Sequence, residues 1–197
     1  MKQKKFTSQE SLEIVRQYAD RNLKGRLLEH TRGCVEMAQK LALRFGVDPE
    51  KAATAAYLHD IAKAFSLEQQ TAVLERMGIP ATELASHLPA VVHGWLATLI
   101  AKRELGIDDP EVLQAAEAHS TGCAGMSDLA KIVFISDFIE HTRRFPKAAE
   151  LRGREYPTLD EAVLVILRRK LEYLLEGRAI VDSRAVECWN ELVGRAK

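Results

Sequence analysis

The chain lacks most of what marks a secreted, membrane-bound or nucleic-acid-binding protein. It has three cysteines in 197 residues, Cys34, Cys123 and Cys188, widely spaced and without a Cys-x-x-Cys pair. That argues against a disulfide scaffold and implies reduced thiols in a cytoplasmic protein, with Cys34 packed in the core. Neither charge is in excess: 28 basic and 28 acidic residues leave a formal net charge of zero. A neutral chain is a poor general binder of nucleic acid or of membrane surfaces. No apolar run approaches the roughly 20 residues of a membrane span. The basic start Met1-Lys2-Gln3-Lys4-Lys5 leads into the polar Phe6-Thr7-Ser8-Gln9-Glu10, so no signal peptide is expected. Alternating segments of strand length, internal repeats and linkers are also missing. So are the glycine-rich phosphate loop, the dinucleotide turn and the Gly-x-Ser-x-Gly elbow.

What is present is helix, with legible starts and stops. Thr7-x-x-Glu10 and Thr158-x-x-Glu161 have the spacing of capping boxes. The first opens a helix to about Asp20, the second a helix to Glu176. A helix from about Lys24 to Phe45 stops at Gly46. Asp48-Pro49 and Asp109-Pro110 each place an N-cap before a proline at the first helical position; the first opens the helix that carries His59-Asp60, the second a helix that closes on His119. Ser66 starts a short helix ending at Gly78, Pro89 restarts the chain before a helix from Trp95 to Leu105, Ser127 caps the helix carrying Asp137, and Ser183 begins the last. The loop over residues 153–157 is expected to be a flexible surface segment. Arg168-Arg169-Lys170 is expected on the solvated face of its helix, opposite Leu164, Leu167, Leu171 and Leu174. Trp95 and Trp189 are expected to pack rather than stack on bases.

The chemistry begins at His59-Asp60, where an imidazole and a carboxylate follow the alanine-rich Ala52-Ala53-Thr54-Ala55-Ala56-Tyr57-Leu58. Neither group gives up water without a partner, and a divalent metal suits both. Four further residues sit inside or at the ends of helices, on or near their apolar stripes: His30, His93, His119 and Asp137. A single histidine on an apolar face is commonly a hydrogen-bonded core residue. Six such residues together are harder to explain one by one. Lys63 is four residues past His59, one turn along the same helix face. His87 and His141 are not expected to be ligands; His141, four residues after Asp137, is a candidate hydrogen-bond partner for it.

Several phrases around these residues carry a resemblance: Glu29-His30-Thr31, Ala56-Tyr57-Leu58-His59-Asp60-Ile61-Ala62-Lys63, Val92-His93-Gly94, His119-Ser120-Thr121-Gly122 with Gly125-Met126-Ser127, and Asp137-Phe138-Ile139-Glu140 running to Arg143 and Phe145-Pro146. Over roughly residues 25–190 the chain resembles the HD-domain metal-dependent phosphohydrolases. More narrowly, it is similar to the bacterial YqeK-type symmetrical diadenosine tetraphosphate hydrolases. The resemblance implies an all-α, single-domain helical bundle, with a helix in residues 1–23 packed on an HD-type domain of 24–197. It implies two divalent transition-metal ions, iron foremost, with manganese, zinc, nickel or cobalt also accepted. His30, His59, Asp60 and Asp137 would hold one ion, and His93 and His119 the other, with Asp60 bridging. The implied reaction is attack of a metal-activated hydroxide on an inner phosphorus, giving two ADP. Asp60 and Lys63 would serve catalysis, and Lys63, Thr121, Gly122 and Arg143 would hold substrate; a homodimer is a further implication. His141, Cys123-Ala124, Lys147-Ala148 and Trp189-Asn190 depart from the family pattern. By the same resemblance, those near Arg143 and Cys123 fall where substrate would be held, and bear on substrate choice more than on metal chemistry. The alternatives are a nucleotidase or pyrophosphohydrolase acting on mononucleotides, a non-catalytic nucleotide sensor on the same fold, and a purely structural bundle, which would bind no metal.

Overall fold

The start signals in the sequence act as caps. In a computed structural model that describes residues 6–82 and 91–195, the described residues form ten α-helices and no strand: α1 (Ser8–Asn22), α2 (Gly25–Phe45), α3 (Pro49–Leu58), α4 (Leu67–Arg76), α5 (Val92–Arg103), α6 (Pro110–Ala118), α7 (Asp128–Ile139), α8 (Ala148–Gly153), α9 (Leu159–Glu176) and α10 (Ser183–Arg195). The expectations for His87 and Pro89 fall outside the described residues. The reciprocal box forms at Thr7–Glu10 and also at Ser66–Gln69. At Thr158 the forward half is seen, with Glu161 N–H donating to the threonine Oγ1. Asp48 and Asp109 each accept two backbone N–H groups at the starts of α3 and α6.

Two helices form the centre. In α3, residues 52–58 are all buried, and its alanines let α1, α2, α6 and α7 approach closely. In α7, residues 129–137 are buried on every side; α2, α6, α8 and α9 surround it. Fully burying a residue such as Phe134, 0% exposed, contributes about 1.5–3 kcal/mol. That apolar wrapping carries Asp137 into the interior. No helix among the described residues is long and apolar enough to cross a membrane.

Five expectations need correction. The helix that begins at Pro49 does not carry His59-Asp60 within it: α3 ends at Leu58 and His59 is its C-cap. The chain then tightens into turns, with N–H groups bonded to the third carbonyl back, Ile61 to Leu58, Lys63 to Asp60 and Phe65 to Ala62. Lys63 is therefore not on a helical face with His59. α5 starts at Val92 rather than Trp95, so His93 lies in its first turn. The loop over 153–157 is pinned, because Tyr156 is buried, donates its hydroxyl to Leu151 O and accepts at its carbonyl from Arg44. In α9 the buried face is Leu159, Ala162, Val163, Ile166 and Leu167. Lys170, three residues past Leu167, turns inward with them, while Arg168 stays exposed.

α5 meets α6 at Gly94, where an added Cβ would stand 3.0 Å from Glu117 O and 3.2 Å from Ala116 O. Both are backbone atoms and cannot swing aside. Gly94→Ala is expected to destabilise the fold by about 1–3 kcal/mol, read as a lower denaturation midpoint at unchanged slope. An unchanged midpoint would mean that the two helices part freely there.

Candidate metal centre

The site is assembled at helix ends. α3 stops with His59 as C-cap and α6 stops with His119 as C-cap. Each ring then turns back on its own helix: Nδ1–H of His59 donates to Ala56 O at 2.6 Å and Nδ1–H of His119 to Ala116 O at 2.7 Å. A carbonyl only accepts, so both protons sit on Nδ1 and both Nε2 lone pairs point away from the backbone. His30, on α2, spends its Nδ1–H on Glu140 Oε1 at 3.0 Å. Glu140 is fully buried and is held in turn by the N–H and hydroxyl of Thr142. Gly33 makes room for it, since a Cβ at residue 33 would collide with Glu140 Oε2.

These Nε2 atoms converge with two carboxylates. His30 Nε2 lies 3.4 Å from His59 Nε2, 3.6 Å from Asp60 Oδ2 and 3.1 Å from Asp137 Oδ1. His59 Nε2 lies 3.3 Å from Asp60 Oδ2 and 3.9 Å from Asp137 Oδ1. Ligand atoms bonded at about 2.0–2.2 Å to one ion stand about 3–3.5 Å apart, so the spacing is that of a coordination shell. On the other side of Asp60, Oδ1 is 3.3 Å from His93 Nε2 and 3.6 Å from His119 Nε2, and those nitrogens are 3.0 Å apart. Asp60 Oδ1 is buried and has no hydrogen-bond partner. His119 Nε2 has only a lone pair to offer and can take the Ser120 hydroxyl at 2.9 Å, which leaves Asp60 Oδ1 at most the single proton of His93 Nε2. A divalent cation satisfies them all, and imidazole with carboxylate is a donor set for iron, manganese, zinc, nickel or cobalt.

Burial and charge oppose each other throughout. Burial disfavours the ionised form of Asp60, yet His59, His93 and His119 hold its pKa well below the usual carboxylate range. Asp137 behaves likewise, with burial outweighed by His30, Lys170 and Arg143. His119 is pushed well below the ordinary imidazole range by burial first and by His59 second. For His59, burial pulls the pKa down but Asp60 and Asp137 outweigh it and the net shift is upward. A cation that takes His59 Nε2 therefore competes with a proton.

All six residues singled out in the sequence, His30, His59, Asp60, His93, His119 and Asp137, come together here. Lys63 reaches Asp60 Oδ2 at 2.9 Å. Arg143 donates to Asp137 Oδ1 and O at 2.5 and 2.8 Å and approaches His30 Nε2 at 3.3 Å. Thr121 and Gly122 have duties of their own: the threonine hydroxyl donates to Gly122 O, and Gly122, at φ +70°, turns the chain after α6. Ser120 is the hydroxyl nearest the centre, 2.9 Å from His119 Nε2.

Several neighbours were not anticipated. Cys34, placed in the core by its pattern, is fully buried but lies 3.5 Å from His30 Nε2, and its sulfur joins His30, His59 and Asp137 in one group of donor atoms within 4.8 Å. Glu140 holds His30. His141 does not approach Asp137: α7 ends at Ile139, and the exposed His141 faces Glu36 and Glu140 instead. Lys170, assigned to the solvated face, points at the centre. Its Nζ is 3.8 Å from Asp137 Oδ2, and burial lowers its pKa to about 8.

The HD domain profile matches residues 27–166, well over half of the chain. The chain belongs to the HD domain family. Within that family it is similar to the symmetrical bis(5'-nucleosyl)-tetraphosphatase of Bacillus subtilis, 32% identical over 83% of this chain and 88% of that protein. It is also similar to the enzyme of the same name from Staphylococcus aureus, 29% identical over 91% and 93%. A crystal structure of an HD superfamily hydrolase from Clostridium acetobutylicum, described as involved in NAD metabolism, superposes with a TM-score of 0.79 at 28% identity, covering 98% of this chain and 100% of that one. The protein is thus an all-α HD-domain hydrolase whose His/Asp cluster could hold a divalent metal.

Two substitutions test the centre. Asp60→Ala removes the carboxylate shared by both groups of histidines and is expected to abolish retention of divalent metal through dialysis, measured by elemental analysis; full metal content in that variant would place the site elsewhere. Glu140→Gln leaves every candidate ligand in place but weakens the acceptor that orients His30. It should lower metal affinity by about 10–100-fold, whereas wild-type affinity would show that His30 orients itself.

Proposed function

We propose that this protein is a metal-dependent phosphohydrolase that cleaves diadenosine tetraphosphate symmetrically into two ADP. The observation that carries the reading is the placing of Asp60, whose two oxygens serve two separate sets of imidazole nitrogens. That is the donor arrangement of a two-ion site, with His30, His59, Asp60 and Asp137 on one side and His93, His119 and Asp60 on the other. Iron is the first expectation for such a set, with manganese, zinc, nickel or cobalt compatible. When bound, a pair of such ions supplies Lewis acidity to phosphate oxygens and lowers the pKa of an attacking water. The names of the similar proteins from B. subtilis and S. aureus support the choice of substrate.

The chain's own residues have definable parts. Asp60 and Asp137, held ionised, keep negative charge where a cation is to sit. Glu140, Ala56 O and Ala116 O fix three imidazoles so that no ring turns as the reaction proceeds. Lys63, 43% exposed at its side chain, is free to leave Asp60 for a phosphate oxygen. Arg143 can offer a two-pronged grip beside Asp137. In cleavage, the oxygen of water bonds to an inner phosphorus, the central P–O–P bridge breaks, and the leaving ADP keeps the bridging oxygen. Register of the tetraphosphate against the centre decides the products.

Early products resolved by chromatography should be ADP alone, and in isotopically labelled water one of every two ADP molecules should carry one solvent oxygen. Equal amounts of AMP and ATP would refute symmetrical cleavage and point to a pyrophosphohydrolase of different register. Binding without any product would point to a sensor.

A further inference from the structure

The basic run on α9 hides a residue that belongs to the substrate side of the centre. Lys170 Nζ donates to His119 O at 3.2 Å and to Ser120 O at 3.1 Å, the carbonyls where α6 ends. It lies over the Phe134 ring at 4.2 Å and 5.7 Å from the Phe138 centroid, with 18% of its side chain exposed. An ammonium has three donors. Two are spent on carbonyls, and the remaining side faces Asp137 Oδ2 at 3.8 Å, too far for a hydrogen bond. A lysine that served only to cap α6 could do so from the surface, as cations at helix C-termini do. This one lies over the Phe134 ring, largely buried, and stops beside a candidate metal ligand.

Its position complements the other two cations. Lys63 comes from the turns after α3 and stands on the Asp60 side; Arg143 comes from the turn after α7 and stands on the His30 side. Lys170 comes from α9 and stands where the backbone of His119 and Ser120 meets Asp137, and the Ser120 hydroxyl there is 2.9 Å from His119 Nε2. Lys63 and Arg143 stand on other sides, and an extended polyphosphate crossing the centre would present oxygens here as well. We propose that Lys170 binds a phosphate oxygen of the polyphosphate on the His119 side of the centre, completing a clamp of three cations with Lys63 and Arg143. The inference rests on reading the centre as a site for a nucleoside polyphosphate.

The test uses ADP as probe and manganese-loaded full-length protein, with affinity measured by calorimetry and metal content and Tm measured on the same samples. Lys170→Met is expected to weaken ADP binding by about tenfold or more, the loss of one charge-assisted hydrogen bond, while metal content and Tm stay near wild type. Lys170→Arg, which keeps the charge, should bind within about threefold of wild type. If the methionine variant does not fold, Lys170→Gln, with a polar end for the same carbonyls, is judged by the same criterion. Equal affinity in the neutral variant would overturn the proposal. So would loss of metal in step with loss of ADP affinity, because that is the signature of a capping residue, and so would failure of the wild type to bind ADP. The proposed reaction stands or falls separately: AMP and ATP as products of diadenosine tetraphosphate would remove symmetrical cleavage while a weakened Lys170→Met would still establish the phosphate contact.

Discussion

The centre depends on a hydrogen bond that three histidines spend away from it. His59 and His119 give their Nδ1 protons to Ala56 O and Ala116 O, and His30 gives its own to Glu140. With the protons placed there, the Nε2 lone pairs have nowhere to point but toward one another and toward Asp60 and Asp137. In a pocket where His59 and Asp60 have no exposure at all, such a concentration of acceptors is unfavourable unless a cation joins it. The fold supports the arrangement with apolar packing elsewhere, chiefly along α3 and α7, which are buried on nearly every side.

One device is used twice to make this work. α3 and α6 are short helices, each opened by Asp-Pro and each ended by a histidine. The last carbonyls of a helix lack intrahelical partners. In both helices one of the final turn's carbonyls is taken by the ring of the histidine that follows. The bond that helps close the helix is therefore also the bond that aims the ligand. Lys51, on α3, bridges to Asp109 and Glu111 at the start of α6, which ties the two helices side by side. The stop of each helix is thus delivered to the same place. Substitutions that lengthen either helix would misdirect a ligand without touching it.

The helix starts and the candidate metal-ligand residues could be read from the sequence for the same reason. Both are places where a polar side chain appears in a context that would otherwise reject it. Asp48, Ser66, Asp109 and Ser127 are caps because they precede apolar periodic runs; His30, His119 and Asp137 stand out because they interrupt such runs. The misplaced residues share one cause. Lys63 and His141 each stand about one helical turn past a site residue in the sequence, and in both cases the helix has already ended, at Leu58 and at Ile139. Glu140 could not be identified as the partner of His30, because its burial arises from the approach of α2 at Gly33, a contact between residues more than 100 apart in sequence. Lys170 did leave a trace. It continues the stripe Val163, Ile166, Leu167 at helical spacing, but two adjacent arginines give that stretch the look of a solvated face.

The overall neutrality of the chain and the polyphosphate substrate proposed for it are reconciled by where the charges lie. Lys63, Arg143 and Lys170 are all turned toward Asp60 or Asp137, so without a cation the basic groups are engaged by the carboxylates and little positive potential remains for an anion. Were the carboxylate charge taken up by a divalent metal, the same three side chains would face the pocket with their charge unopposed. Anion affinity is then conditional on metal, and by thermodynamic reciprocity the anion must tighten the metal by the same factor. A site built this way needs no excess of basic residues in the composition.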